Sequence, residues 1–382
     1  MIDGQNLTTK TQPYCASIKE RYALCKPGSE KMTYHVVIDF TGSGIRYEVG
    51  DSLAVFPSND PAAVQHLLHL MDYGGGESIH DKRSGKTWEV KEFLTKKANL
   101  NTFSRKFLSE VRDRQTDPDK KDFLTSLLAE GNVKRYQEAR DVAEILEKNQ
   151  EASFSPQEFC SLLMPMMPRF YSIASSMKRV GEEAHLTIAL ESYHKNERQR
   201  YGVCTDYLCR RAPMNESVIP IYIHSHQGFT LPNDPHAPIV MVGPGTGIAP
   251  FRAFMQERER IPSAKKNWLF FGECHRDLHF FYEEYWKSLE LNGKLRLHVA
   301  FSRDQSHKIY VQHRMLEYSK ELFDWLEAGA YFFVCGDAKS MAKEVEAVLH
   351  QIVQQQGKLS EKGAKHYIKH LRTQKRYLKD VY

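Results

Sequence analysis

From residue 236 to the C-terminus the sequence alternates short apolar runs with longer amphipathic ones. APIVMVG is a strand-length apolar run, and NWLFFGE, LRLHVAFS and AYFFVCG also read as strands. APFRAFMQERER, LHFFYEEYWKSLEL, VQHRMLEYSKELFDWLEA and DAKSMAKEVEAVLHQIVQQQ follow them with helical spacing, and a last helix is expected ahead of Tyr382. A strand cannot pair in parallel with its successor without a crossover, and a helix of this length supplies one. The alternation therefore predicts a doubly wound α/β domain on a parallel sheet.

The preceding part follows another pattern. TYHVVIDF (33–40) and YEVGDSLAVFP (47–57) are rich in β-branched and aromatic residues and flank the glycines of TGSG, which predicts barrel-type strands joined by a hairpin. NDPAAVQHLLHLM (59–71) predicts a helix with Asn59 or Asp60 as its cap and Pro61 in its first turn. Residues 85–165 turn highly charged with helical spacing and read as a helical insertion. Strand signal resumes at RFYSIASS (169–176), HLTIALESY (185–193) and VIPIYIHSH. The expected architecture is an antiparallel β-barrel domain with a helical insertion, residues 1–232, followed by the parallel α/β domain, residues 233–382. Their boundary lies in LPNDPHAP, where two prolines flank a polar run.

Bulk properties exclude several functions. No apolar run reaches the ~18 residues that a membrane span needs. MIDGQNLTTK lacks a basic-then-apolar leader, so a cytoplasmic protein is expected. The net charge of +5 is too small for this length to argue for nucleic acid, yet it suits anionic ligands or partners. The basic run KHYIKHLRTQKRYLK (365–379), read on a helix, is either a solvated face or a docking surface. Seven cysteines without a C-x-x-C pair fit a reducing compartment better than a disulfide framework or a zinc ribbon. His275 and His279 have a spacing that a metal could use on a helix, but no third ligand is evident, and no metal is expected.

Four stretches carry chemistry. GPGTGIAPFRAF (243–254) follows a strand and opens a helix; Gly243, Gly245 and Gly247 permit a sharp turn and close approach of a ligand. Helix N-terminal N–H groups favour an anion such as a pyrophosphate, although a merely structural turn would look similar, and the usual G-x-G-x-x-G is incomplete. In AFSRDQSHKIYVQ (300–312), Ser302, Arg303, Lys308 and Tyr310 cluster at another strand's carboxyl end. Arginine, lysine and hydroxyls suit a ribose 2′-phosphate, whereas a plain NAD site places an acidic residue there. Cys335 ends a third strand, as a packed hydrophobe or as a contact to a nicotinamide. In RFYSIASS, Arg169 could pair with a phosphate, Tyr171 stack on a flat ring and Ser172 hydrogen-bond a ring nitrogen. YGVCTDYL (201–208) adds a second anion-binding turn. Two phosphate sites in two domains suggest two dinucleotides, a flavin in the barrel and NADPH in the α/β domain.

The order RFYSIASS, GVCT, GPGTGIAPFRAF, SRD…KIYVQ, VCGDA…MAKEVE and terminal DVY resembles the ferredoxin–NADP reductase-like superfamily, and within it the diflavin reductases. NWLFFG, the SRDQ…YVQ loop and RY…DVY are most similar to the flavoprotein subunits of NADPH–sulfite reductase. The resemblance implies that Arg169, Phe170, Tyr171 and Ser172 hold FAD and that Thr187, Ile188, Ala189 and Tyr193 line its adenosine side. It implies that Gly202, Val203, Cys204 and Thr205 cradle the FAD pyrophosphate. Gly245, Thr246, Ser302, Arg303, Lys308, Ile309, Tyr310, Val311, Gln312 and Glu344 would bind NADPH. Tyr382 would cover one flavin face and move aside for the nicotinamide, while Ser172, Cys335 and Asp380 would assist hydride transfer.

Two departures bear on function. The FAD-linked part starts within about 15 residues of Met1 and no acidic, glycine-rich FMN loop precedes it, so a chain without an FMN domain, passing electrons to a separate acceptor protein, is expected. Glu344 stands where the family usually has aspartate. The acceptor would be an FMN- or flavodoxin-type protein, a ferredoxin or a haemoprotein. A flavodoxin or ferredoxin reductase is the narrower alternative, and a non-catalytic flavin-binding scaffold is the alternative of another class.

Overall fold

The computed structural model describes residues 9–129, 131–195, 198–226, 228–261 and 266–382. Residues 1–8, which hold most of the stretch read for a leader, lie outside the described residues. The chain packs as two compact units, one formed by Met1–Ala54, Phe170–Leu190 and Pro213–Tyr382, the other by Val55–Arg169 and Glu191–Ala212.

The first unit begins with a six-stranded sheet in the order Arg169–Ser172, Ser52–Val55, Ile219–His224, Tyr14–Ala23, Thr33–Asp39 and Glu183–Ala189. Tyr14–Ala23 pairs antiparallel with both of its neighbours, and Thr33–Asp39 pairs antiparallel with Glu183–Ala189. An antiparallel bridge between Ile173 and Leu186 joins the two ends of this order. It closes the sheet into a barrel and removes the open edges that an unclosed sheet would present.

The same unit carries a five-stranded sheet in the order Arg296–Phe301, Asn267–Glu273, Ile239–Val242, Tyr331–Gly336 and Tyr377–Val381, and every neighbouring pair is parallel. The strand order reverses between Ile239–Val242 and Tyr331–Gly336. A crevice at the carboxyl ends of the strands is expected at that switch point. The fold is thus the expected one, an antiparallel barrel domain followed by a parallel α/β domain. One core cluster draws Ile239, Met241, Phe251, Phe254 and Phe333 together with Cys25, Val49 and Phe229 from the barrel part.

Three expectations are corrected. The basic run 365–379 is not one helix: the helix Glu361–Thr373 ends, Lys375 takes a left-handed φ of 53°, and Tyr377–Val381 becomes the fifth strand. Tyr377 is buried and Lys379 pairs with Glu346 at 2.9 Å, so tertiary contacts override the helical spacing. LHFFYEEYWKSLEL is broken into Arg276–His279 and Glu283–Leu291 by Tyr282 at φ 58°. The Tyr282 hydroxyl bonds His35 Nδ1 at 2.9 Å and Thr187 Oγ1 at 2.7 Å, which holds this strained backbone in place. VQHRMLEYSKELFDWLEA is two helices, Val311–Glu317 and Ser319–Glu327.

The second unit is mainly helical, and it extends further than the charged stretch suggested. It takes in the helix Pro61–Leu70 and a hairpin of Ser78–Asp81 and Lys86–Glu89. Asp60 is the cap, accepting the Ala62 N–H at 2.9 Å, while Asn59 spends its amide on the carbonyls of Leu94 and Ala98. Phe103, Phe107, Phe154 and Phe159 lie at the centre of its core.

Candidate active site

The glycine turn sits at the switch point. After Ile239–Val242 the chain makes a short 3-10 turn, Gly245–Ile248, and enters the helix Ala249–Arg258. Gly245 has φ 58°. A Cβ on Gly247 would stand 2.1 Å from the carbonyl oxygen of Cys335, so the turn lies directly against the end of the neighbouring strand. Only glycine permits that approach.

Parallel pairing of Tyr331–Gly336 with Tyr377–Val381 sets Cys335 beside Asp380. Ser172, from the end of a barrel strand, donates to Asp380 Oδ2 at 2.6 Å, and the Cys335 thiol lies 3.8 Å from the same oxygen. Burial, and then the Asp380 charge, push the Cys335 thiol well above its ordinary pKa, so it is a neutral S–H and not a nucleophilic thiolate. Tyr382 follows: its N–H donates to Gly336 O, its hydroxyl lies 2.8 Å from Thr246 Oγ1, and the residue stays 63% exposed. A ring tethered at its hydroxyl and open on its face is suited to cover a flat ligand. Phe170 is also largely exposed, packed against His224 at 4.9 Å between centroids, while Tyr171 is half-buried.

The Ser302–Tyr310 turn follows the strand Arg296–Phe301. The backbone N–H groups of Ser302 and Arg303 donate to Glu273 O and Cys274 O, which pins the turn while Arg303, Lys308 and Tyr310 remain exposed. Val311 and Gln312 are buried, Ile309 packs on the core, and the Gln312 amide donates to Glu344. Thr187 and Ile188 are buried and the Thr187 hydroxyl is taken by Tyr282, whereas Ala189 is exposed.

In the second unit Gly202 caps the short helix Val203–Asp206. Its N–H donates to Glu191 O, and Thr205 Oγ1 accepts the Glu191 N–H at 3.2 Å. A Cβ on Gly202 would stand 2.5 Å from Glu191 Oε2 and 2.8 Å from Thr205 Oγ1. Cys204 is buried, Val203 and Thr205 are half-buried, Tyr193 is 38% exposed and Arg169 is exposed.

Sequence reasoning missed His226, whose Nε2 lies 3.9 Å from Asp380 Oδ1. It also missed Arg252, which donates to Ala174 O at 2.7 Å and lies over the Tyr282 ring. Arg252 lies within the GPGTGIAPFRAF stretch but was given no role, and no spacing pattern marks His226; both reach their partners through the fold. His275 and His279 are engaged elsewhere, with Asp304 at 3.0 Å and Ser29 at 2.7 Å. Among the described residues no group of three or more His, Cys, Asp and Glu could hold a metal ion.

These residues fit two dinucleotides. Beside Gly245 a Cβ would meet only Glu273 Oε1, at 3.7 Å, so the backbone there is open to a ligand, and the exposed Phe170 and Tyr382 and the Ser172–Asp380 pair offer stacking and hydrogen bonding to a flat ring. The sequence matches the FAD binding domain family over residues 7–207 and the oxidoreductase NAD-binding domain family over residues 241–347. It is 41% identical over 383 residues to the sulfite reductase [NADPH] flavoprotein alpha-component of Bacillus subtilis (strain 168), covering 99% of this chain and 62% of that protein. The protein of the same name from Vibrio cholerae serotype O1 (strain ATCC 39315 / El Tor Inaba N16961) is 39% identical over 376 residues, covering 98% of this chain and 60% of that protein. The chain therefore spans about three-fifths of the length of these relatives. With an FAD-binding domain over half its length and an NAD-binding domain after it, the chain belongs to the FAD-binding-domain family of NAD(P)-dependent flavoprotein oxidoreductases.

Proposed function

We propose that this chain is an NADPH-dependent, FAD-containing reductase, similar to the sulfite reductase flavoproteins, that delivers electrons to a separate acceptor protein. The observation that carries the reading is the Ser172–Asp380–Cys335 cluster beside Tyr382 at the carboxyl ends of the parallel strands. When bound, NADPH supplies a hydride and FAD accepts it and passes electrons on.

The protein's own task is orientation and charge. Arg169 and the turn Gly202, Val203, Cys204 and Thr205 bind phosphate; Phe170, Tyr171 and Ser172 position the flavin ring. Ser302, Arg303 and Lys308 take the 2′-phosphate, since exposed cations and a hydroxyl at a strand terminus match its charge. Asp380, as a carboxylate, favours positive charge developing on a nicotinamide. Ser172 holds that carboxylate in one rotamer. Tyr382 would keep water off the flavin face and would have to move aside for the nicotinamide, giving up its hydroxyl contact with Thr246. The seven cysteines are free thiols, which suits a reducing compartment such as the cytoplasm. Relatives named as the alpha-component of a reductase support a protein acceptor, flavodoxin-type, ferredoxin or haemoprotein.

A purified sample should be yellow and release FAD on denaturation. Anaerobic NADPH should bleach the flavin absorbance quickly, NADH poorly. A colourless protein that takes up no added FAD would end this reading. Normal FAD content with slow bleaching would favour a flavin-binding scaffold instead. Steady-state NADPH oxidation with a flavodoxin, a ferredoxin, a sulfite reductase haemoprotein and ferricyanide as control would identify the acceptor.

A further inference from the structure

We propose that His226 is a positioning residue that acts through Asp380 and makes hydride transfer sensitive to pH; the proposal rests on the reductase reading above. Asp380 has two oxygens with different surroundings. Oδ2 accepts from Ser172 at 2.6 Å and faces the Cys335 thiol at 3.8 Å. Oδ1 has one cation-capable neighbour within ion-pair distance among the described residues, His226 Nε2 at 3.9 Å. That separation is too long for a hydrogen bond, so the carboxylate is committed to Ser172 and the imidazole is held just out of reach.

Two contacts place His226 there. Its backbone N–H donates to Asp51 Oδ1 at 3.2 Å, and its ring packs on the buried Phe229 at 5.8 Å between centroids. Its Nδ1 is buried with no hydrogen-bond partner among the described residues. An orphaned buried nitrogen calls for an explanation, and a functional role is one. Among the described residues, Asp380 on the edge strand and Asp51 in the turn ahead of Ser52–Val55 stand against His226, with Cys335 beyond Asp380.

The neutral imidazole leaves Asp380 with Ser172. Protonation changes two things in the same direction. The imidazolium attracts Oδ1 and so pulls the carboxylate as a whole away from the position in which Ser172 holds Oδ2. It also cancels part of the negative charge that a nicotinamide feels as it becomes positive. Hydride transfer is therefore fast when His226 is neutral and slows as acid protonates it.

The test combines kinetics and spectroscopy on the FAD-loaded protein. In stopped-flow reduction by NADPH, the wild-type rate should fall about three- to tenfold as pH is lowered from ~8 to ~5.5, through the range where imidazoles titrate. In His226→Gln the fall should shrink to less than about twofold over the same range. A His226→Gln profile that matches wild type would overturn the proposal. By NMR at fixed pH the His226 ring resonances, assigned with that variant, should move in Asp380→Asn, because the carboxylate that faces the imidazole is gone. Unmoved resonances would overturn the pairing independently of any activity. FAD content and circular dichroism of each variant guard against misfolding. Failure of wild-type flavin to be reduced at any pH would sink the reductase reading itself, and this proposal with it.

Discussion

The carbonyl of Cys335 lies against Gly247 so closely that a methyl group on the glycine would stand 2.1 Å from the oxygen. The clash is with backbone, which cannot swing aside as a long side chain would. Gly247→Ala must therefore displace either the glycine turn or the end of the strand Tyr331–Gly336. The expected cost is about 1–3 kcal/mol of stability, as for other overpacked sites, with weakened nicotinamide-dinucleotide binding. Denaturant unfolding and NADP⁺ titration calorimetry check both effects; a variant with wild-type stability and affinity would mean that this packing is looser than described.

The Ser172–Asp380 pair predicts a separation of binding from chemistry. Asp380→Asn keeps the size of the side chain and removes its charge. Flavin reduction by NADPH should slow about 10- to 100-fold, while FAD content and NADP⁺ affinity stay near wild type. Ser172→Ala should slow it less, since the carboxylate remains. A large loss of FAD in Asp380→Asn would assign the residue to cofactor retention instead.

Arg303 is exposed on a turn whose backbone is pinned by Glu273 and Cys274. Removing its guanidinium should not disturb the turn. Arg303→Ala should raise the KM for NADPH about 10- to 100-fold, and change that for NADH little, because only NADPH carries the extra phosphate. Equal losses with both nucleotides would show that the 2′-phosphate is held elsewhere.

His35 and His185 predict acid lability. His35 Nε2 lies 3.0 Å from His185 Nδ1, and both rings are enclosed. Burial, reinforced by the Arg252 charge, lowers His35 to about 2 and His185 to about 4. The unfolded chain binds protons at these positions near the ordinary value of ~6.5, so the unfolded state holds more protons as pH falls below that. Stability is thus present above ~6.5 and is lost on acidification through the depressed folded values, at about 1.4 kcal/mol per pH unit for each histidine. Urea midpoints at pH 7.5, 6.5 and 5.5 read this directly, and His185→Gln should flatten the slope. An unchanged slope in that variant would mean that the ring is solvated or paired.

Local signals located much of this molecule. The apolar runs predicted four strands of the parallel sheet, three of them almost wholly buried and Arg296–Phe301 half-buried at the edge, and the glycine turn after Ile239–Val242 stood where a strand must give way to a helix. The residues proposed for the site were named from motif order: Ser172, Cys335, Asp380 and Tyr382 come from three distant stretches, and nothing local relates them. Their meeting depends on the fifth strand, Tyr377–Val381, which the helical spacing of the basic run concealed. That strand forms because parallel pairing with Tyr331–Gly336 and burial of Tyr377 outweigh a modest helical preference. The same holds for the break at Tyr282 and for His226, whose partners are remote in sequence. Propensity and spacing act over a few residues, and so the sequence alone determined most of the elements and the motifs they carry, but not the fifth strand or the helix breaks. Only long-range packing decided which side chains share a hydrogen bond, since that depends on strand order and on how closely two backbones can approach.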